Sequence, residues 1–253
     1  MRVVVAADCE PSPWANGGGT TRDLAVGAAD GVQASGPSFD WRLSLADIDR
    51  DGPFSRLPAV DRVFAPVEGA VALAFEAPAD GAPSRASGAP GRDAAPILDP
   101  DGPPRAFAGE AAPHATLPGA RRCRALNLML ARGRRIGAMR RVALADGAVL
   151  DAGWSGTVVR AGAALRACWL QRGRLAVGPR VLAPGVLILL DADDAAPVAC
   201  GEVLLLEVAI GPAGPAAQSA AGEHACGAEA PATPMPTPMQ TPTPPSTLPR
   251  TPP

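Results

Sequence analysis

The apolar positions of this chain fall in short alternating runs, not in helical stripes. In Phe39-Asp-Trp-Arg-Leu-Ser-Leu-Ala46, Trp41, Leu43 and Leu45 share one face of a strand. Arg42, Ser44 and Ala46 share the other. Ala125-Leu-Asn-Leu-Met-Leu-Ala131 repeats the pattern, with Leu126, Leu128 and Leu130 opposite Asn127 and Met129. The same reading predicts strands near 2–6, 20–26, 39–47, 60–66, 71–76, 124–130, 136–144, 157–160, 163–169, 174–177, 186–191 and 203–210. Turn chemistry separates them: Asp51-Gly-Pro, Asp101-Gly-Pro, Asp146-Gly and Pro184-Gly185. No long segment carries an i, i+3, i+4 apolar stripe, so the fold class is all-β, a sandwich or barrel.

Two stretches break the pattern. Residues 78–104 are dense in Ala, Gly, Pro and Asp and read as a long loop between strands. From Gly211 the chain turns to Ala, Pro and Thr, ending Thr-Pro-Thr-Pro-Pro-Ser-Thr-Leu-Pro-Arg-Thr-Pro-Pro. Such a segment buries too little apolar surface to offset its ordering entropy, which predicts a disordered, polyproline-like tail over 211–253 and one folded domain over 1–210. The tail is either an inert solubilising segment or a ligand for SH3-like partners.

Composition narrows the function. All 23 basic residues are Arg, so lysine Schiff-base and P-loop chemistry are excluded. Net charge is −2 with both signs interspersed, and no basic stripe marks a nucleic-acid surface. The run Arg121, Arg122, Arg124, Arg132, Arg134, Arg135, Arg140 and Arg141 lacks interleaved aromatics and reads as solvated strand ends and turns. The five cysteines are scattered, none with CxxC spacing, which argues against a disulfide framework and a zinc site. The apolar runs are too short for a secretory segment or a membrane span, which predicts a soluble cytoplasmic protein.

Several residues carry candidate chemistry. Asn16-Gly-Gly-Gly19 lacks phosphate-loop spacing and precedes a strand, so it is either a glycine turn or a pocket rim. Arg42 beside Ser44 is either a solvent face or an anion-recognising pair. Asp61 and Arg62 point to opposite faces of one strand. Arg62 then meets either a ligand carboxylate or a structural acid such as Asp23 or Asp47. Asn127, an amide inside an apolar strand, needs hydrogen-bond partners if buried. Glu68, Glu76 and Glu110 are acids with nothing to single them out. Only His114 and His224 are present, and no Ser-His-Asp or Cys-His set is visible, so no catalytic residue is assigned.

Three phrases resemble the HutD/Ves family: Trp14-Ala-Asn-Gly-Gly-Gly-Thr-Thr-Arg-Asp-Leu-Ala25, Phe39–Ala46, and Asp51-Gly-Pro-Phe-Ser-Arg-Leu-Pro-Ala-Val-Asp-Arg62. Phe107-Ala-Gly-Glu110 and Leu126-Asn-Leu-Met129 follow in the same order. The similarity runs over roughly 3–210 and thins after Gly137. It implies a bicupin-like β-sandwich or jelly roll with a small pocket and no metal or cofactor. Metal-binding cupins carry a His-x-His cluster, which this chain cannot build; Gly178-Pro-Arg-Val-Leu-Ala-Pro184-Gly185 keeps only the strand–turn–strand part of the second cupin motif. Carried across by motif, the ligand-binding candidates are Asn16, Arg22, Trp41, Arg42, Ser44, Phe54, Asp61, Arg62, Asn127 and Met129. The chain departs from the family at Ala125, where an acidic residue is usual, and at Leu130-Ala131-Arg132, where Arg-Arg is.

The expected function is metal-independent binding of a small carboxylate, in a regulatory or accessory role connected with histidine utilisation. The alternatives are a metal-free cupin hydrolase or isomerase using Asp61 or Glu110 as base, and an interaction protein acting through the Pro-rich tail. Edge strands make a homodimer the default assembly.

Overall fold

Short alternating strands joined by turn residues pair antiparallel, and here they do so in three sheets. The computed structural model describes residues 1–28, 36–75, 95–151, 153 and 165–213. The middle sheet contains β2 (Pro11–Pro13), β3 (Gly19–Ala28), β4 (Phe39–Ile48), β6 (Val60–Glu68), β9 (Arg105–Ala108) and β11 (Cys123–Ala131), in the order β2-β3-β4-β11-β6-β9. A small sheet joins β5 (Gly52–Pro53), β10 (His114–Thr116), β7 (Val71–Ala74) and β8 (Ile97–Leu98) in that order. The third sheet orders β1 (Arg2–Val5), β15 (Val186–Leu190), β13 (Leu165–Val177), β16 (Val198–Pro212) and β12 (Arg135–Leu144), with β14 (Arg180–Leu182) on β13.

The middle sheet is covered on both faces, so the alternation on its strands sorts two buried layers, not core from solvent. Leu43, Leu45, Val63, Ala65, Leu126, Leu128 and Leu130 pack against Trp169, Leu187, Leu206 and Val208 of the third sheet. Ile48, Phe64, Cys123 and Ala125 pack on the other side against Val71, Leu73, Ala115 and Phe54. The far face of the third sheet closes its own core around Leu170, Leu175, Ile188 and Leu205. Because Phe64, Leu126 and Leu128 are wholly buried, each apolar side chain here is worth about 1.5–3 kcal/mol of burial.

Some boundaries differ from the sequence expectation. The strands expected at 163–169 and 174–177 are one strand, β13, bent by register shifts at Leu170/Arg172 and Arg172/Arg174. Gly173 sits in that bend at φ +84, where an added Cβ would lie 2.2 Å from the Glu202 carbonyl. The strand expected at 203–210 runs from Val198 to Pro212 because β12 pairs with it as far as Arg135↔Pro212. The expected long loop holds a two-residue strand, Ile97–Leu98, which pairs with β7. The strand expected at 157–160, Glu76, the loop up to residue 94 and the tail from residue 214 lie outside the described residues.

Arg121 and Arg122 of the arginine run are exposed, as expected, but its second half is not solvated. Arg134 and Arg135 hold the buried carboxylate of Asp40 at 3.1 and 2.7 Å, and Arg140 holds that of Glu207 at 2.7 Å. Arg141 donates to the Gly102 and Pro66 carbonyls at 2.8 and 3.0 Å and to Gln171. These side chains are spent on carbonyls and buried acids of neighbouring segments. Among the described residues, no helix is long and apolar enough to cross a membrane.

Candidate functional site

The strand order of the middle sheet brings the polar positions of β4, β6 and β11 onto one face. Ser44 lies directly opposite Asn127, and Asn127 opposite Phe64. Two residues along, Arg42 lies opposite Met129, and Met129 opposite Arg62, which in turn faces Phe107 on β9. The face therefore carries Arg42 and Arg62 on either side of Met129, with Ser44 and Asn127 in the adjoining row. Arg42 and Arg62 stand one strand apart, with β11 between them, because β4 and β6 each pair with β11 and not with one another.

Arg62 is 6 % exposed and its Nε has no hydrogen-bond partner among the described residues. Its guanidinium carbon lies 4.9 Å from the Phe54 ring centroid and 5.1 Å from that of Phe107. The expected acid partners are engaged elsewhere. Asp23 takes Arg42 at 2.5 Å, and Asp47 takes Arg22 and Arg124 at 2.5 and 2.6 Å. Burial first, and the charge of Arg42 second, push the Arg62 guanidinium down from 12.5 to about 10. A planar cation is thus held by two aromatic rings, in a low-dielectric setting, with no acid among the described residues to neutralise it.

Its neighbours are unsatisfied too. The Ser44 Oγ and the Asn127 Oδ1 are buried without hydrogen-bond partners among the described residues. Three orphaned polar groups on one face of a packed sheet are rare in folded proteins unless something outside the chain completes them. Arg105, which follows on β9 on the same face as Phe107, adds a fourth: its Nε is also buried and unpaired, and its guanidinium lies 5.8 Å from the Phe75 ring. Phe75 stacks edge-on with Phe107 at 5.4 Å. Arg105 and Phe75 are absent from the sequence-derived candidates. The alternation of Arg105, Ala106, Phe107 and Ala108 on β9 was the available signal for Arg105, obscured by the Pro-rich residues beside it.

The remaining candidates stand elsewhere. Asn16 is exposed, and its Oδ1 accepts the Gly18 N–H at 2.9 Å, closing a turn in which Gly17 has φ +66. Trp41 packs into the core on the opposite face of β4. Arg22 lies opposite Leu45, so it too points to that opposite side, where Asp47 binds it. Asp61 points away from Arg62 and binds Arg132 at 2.7 Å, and Glu110 binds the same guanidinium at 2.9 Å. Burial raises the Glu110 carboxyl, but hydrogen bonds from Arg132 and the Ala59 N–H outweigh this and hold it down to about 2. A carboxylate that reluctant to take a proton makes a weak general base at neutral pH. Among the described residues, no group of three or more His, Cys, Asp or Glu could hold a metal ion.

The fold is a cupin-like jelly roll whose middle sheet presents a buried guanidinium and two uncompensated polar groups. The chain belongs to the HutD family, whose model matches residues 6–203. Over 84 % of its length it superposes on 99 % of HutD from Pseudomonas fluorescens SBW25, at 21 % identity and a TM-score of 0.61. YhhW from Escherichia coli shares the fold at 10 % identity and a TM-score of 0.52, covering 84 % of this chain and 98 % of that one. A Pseudomonas putida protein named for its place in the hutC 3' region is 33 % identical over 69 residues, 27 % of this chain. That match spans about a third of the relative's length, 34 %.

Proposed function

We propose that this protein is a receptor for a small carboxylate, acting in a regulatory or accessory role in histidine utilisation. The observation that carries this reading is Arg62: a buried cation between two phenylalanines with no acid partner among the described residues. A carboxylate complements that cation because its two oxygens match the planar fork of a guanidinium, and water-free surroundings strengthen the pair. The Phe54 and Phe107 rings fix the guanidinium plane and so fix the plane of the ligand. Ser44 and Asn127 supply a hydroxyl and an amide that read the rest of the molecule. Membership of the HutD family, and a relative named for the hutC region, support the pathway.

The test is thermal denaturation of the full chain at pH 7 against urocanate and N-formylglutamate, beside neutral analogues. A ligand bound only by the folded state at 100 times its Kd stabilises by about 2.7 kcal/mol. A concentration-dependent rise in Tm that vanishes in Arg62→Met supports the reading. A folded wild type whose Tm no carboxylate moves refutes it.

A further inference from the structure

On the opposite side of the middle sheet lies a cleft of about 490 Å3 that the receptor reading does not use. Arg22, Leu45, Val67, Glu68 and Arg124 form its middle-sheet wall, and Trp169 and Gln171 of β13 face them. Val5, Ala6, Ala7 and the Pro184-Gly185 turn close one end. The volume lies within the range of small-molecule sites, about 300–1,000 Å3.

Its polar groups are unevenly matched. Both oxygens of Asp47 are taken, Oδ1 by Arg124 at 2.6 Å and Oδ2 by Arg22 at 2.5 Å. Burial raises the Asp47 carboxyl, and the two guanidiniums more than reverse that and hold it below 3.8. The Gln171 amide is spent on Arg141 and on the Pro100 carbonyl. The guanidiniums are not spent: Arg22 gives one Nη to Asp47 and keeps its Nε and other Nη free of acceptors among the described residues. Arg124's second acid, Glu68, reaches it at 3.2 Å through one oxygen from a side chain 67 % exposed. Such a pair is screened and weak. Beyond this donor-rich rim the walls are apolar, formed by Leu45, Val67 and Trp169.

We infer that this cleft is a second binding site, for a small monoanion with an apolar body. The anionic head meets the spare N–H groups of Arg22 and Arg124 in place of Glu68, and the body lies along Val67 and Trp169. It is independent of the receptor site, because Arg22 and Arg62 point to opposite sides of the sheet.

The probe is the anionic dye 8-anilinonaphthalene-1-sulfonate, displaced by hexanoate, with the native full chain at pH 7. Saturable dye fluorescence that hexanoate removes is expected for wild type. Glu68→Gln deletes the competing carboxylate from an exposed position and is expected to bind about two- to fivefold tighter, the reach of one exposed ion pair. Ala7→Trp fills the mouth from another exposed position without touching an ion pair, and is expected to abolish displacement. Absence of saturable binding, unchanged binding in Ala7→Trp, or binding no tighter in Glu68→Gln each overturns the inference.

Discussion

Replacing Arg62 by Met should make the ligand-free protein more stable while removing its ligand. At neutral pH the guanidinium stays charged, and the fold holds that charge away from water. Its displacement from 12.5 to about 10 corresponds to ~3 kcal/mol, at about 1.4 kcal/mol per pH unit. The sign is that of a base whose folded value is depressed. The penalty is complete below pH 10 and is relieved only as the pH climbs towards 12.5. At pH 7, then, the whole of it is present.

Two contacts offset the penalty. The guanidinium interacts with the Phe54 and Phe107 rings, worth ~0.5–1 kcal/mol each. Met keeps the buried aliphatic stem and returns part of this through sulfur–aromatic contact, ~0.3–1.5 kcal/mol. The balance is a gain of about 2 kcal/mol, or a Tm higher by about 4–8 °C for a folded unit of this size. Calorimetry and urea denaturation of the ligand-free full chain at pH 7 measure it directly. With saturating carboxylate the order should reverse, since only wild type gains binding energy. A ligand-free Arg62→Met variant less stable than wild type by 1 kcal/mol or more would refute the reasoning, because Arg62 would then be a net structural asset.

Glu110→Gln should flatten the acid limb of stability. The Glu110 carboxyl is held down to about 2, so its contribution is present above 4.5 and lost as the pH falls from there towards 2. At 40 % side-chain exposure solvent screening limits it to about 1 kcal/mol, read from urea midpoints between pH 6 and 3. Gly69→Ala should lower stability by ~2 kcal/mol or more, because Gly69 has φ +68 and a Cβ there meets the Arg122 carbonyl at 2.2 Å. Thermal denaturation checks it, and a loss below 0.5 kcal/mol would mean that the β6–β7 turn relaxes at no cost.

Local pattern carried the fold further than it carried the site. Alternation along Phe39–Ile48 and Cys123–Ala131 sorts Trp41, Leu43, Leu45 and Leu128 from Ser44, Asn127 and Met129, and those faces stand as read. What a strand's own sequence cannot carry is its neighbour. That β11 slots between β4 and β6 is a long-range pairing, Leu128↔Leu43 and Leu128↔Val63, and it alone decides that Met129 separates the two arginines. Ionic partners are non-local for the same reason. Asp61 finds Arg132, 71 residues on, and Asp47 finds Arg124, 77 residues on. Once those acids are committed, Arg62 is left with aromatic rings alone among the described residues. The asymmetry follows from physics. Burial of an apolar face is decided residue by residue along a strand, whereas neutralisation of a charge is decided by whichever opposite charge topology delivers within a few ångströms. The sequence could therefore show that Arg62 needed an anion. Only the pairing of β4, β6 and β11 shows that the described chain withholds one.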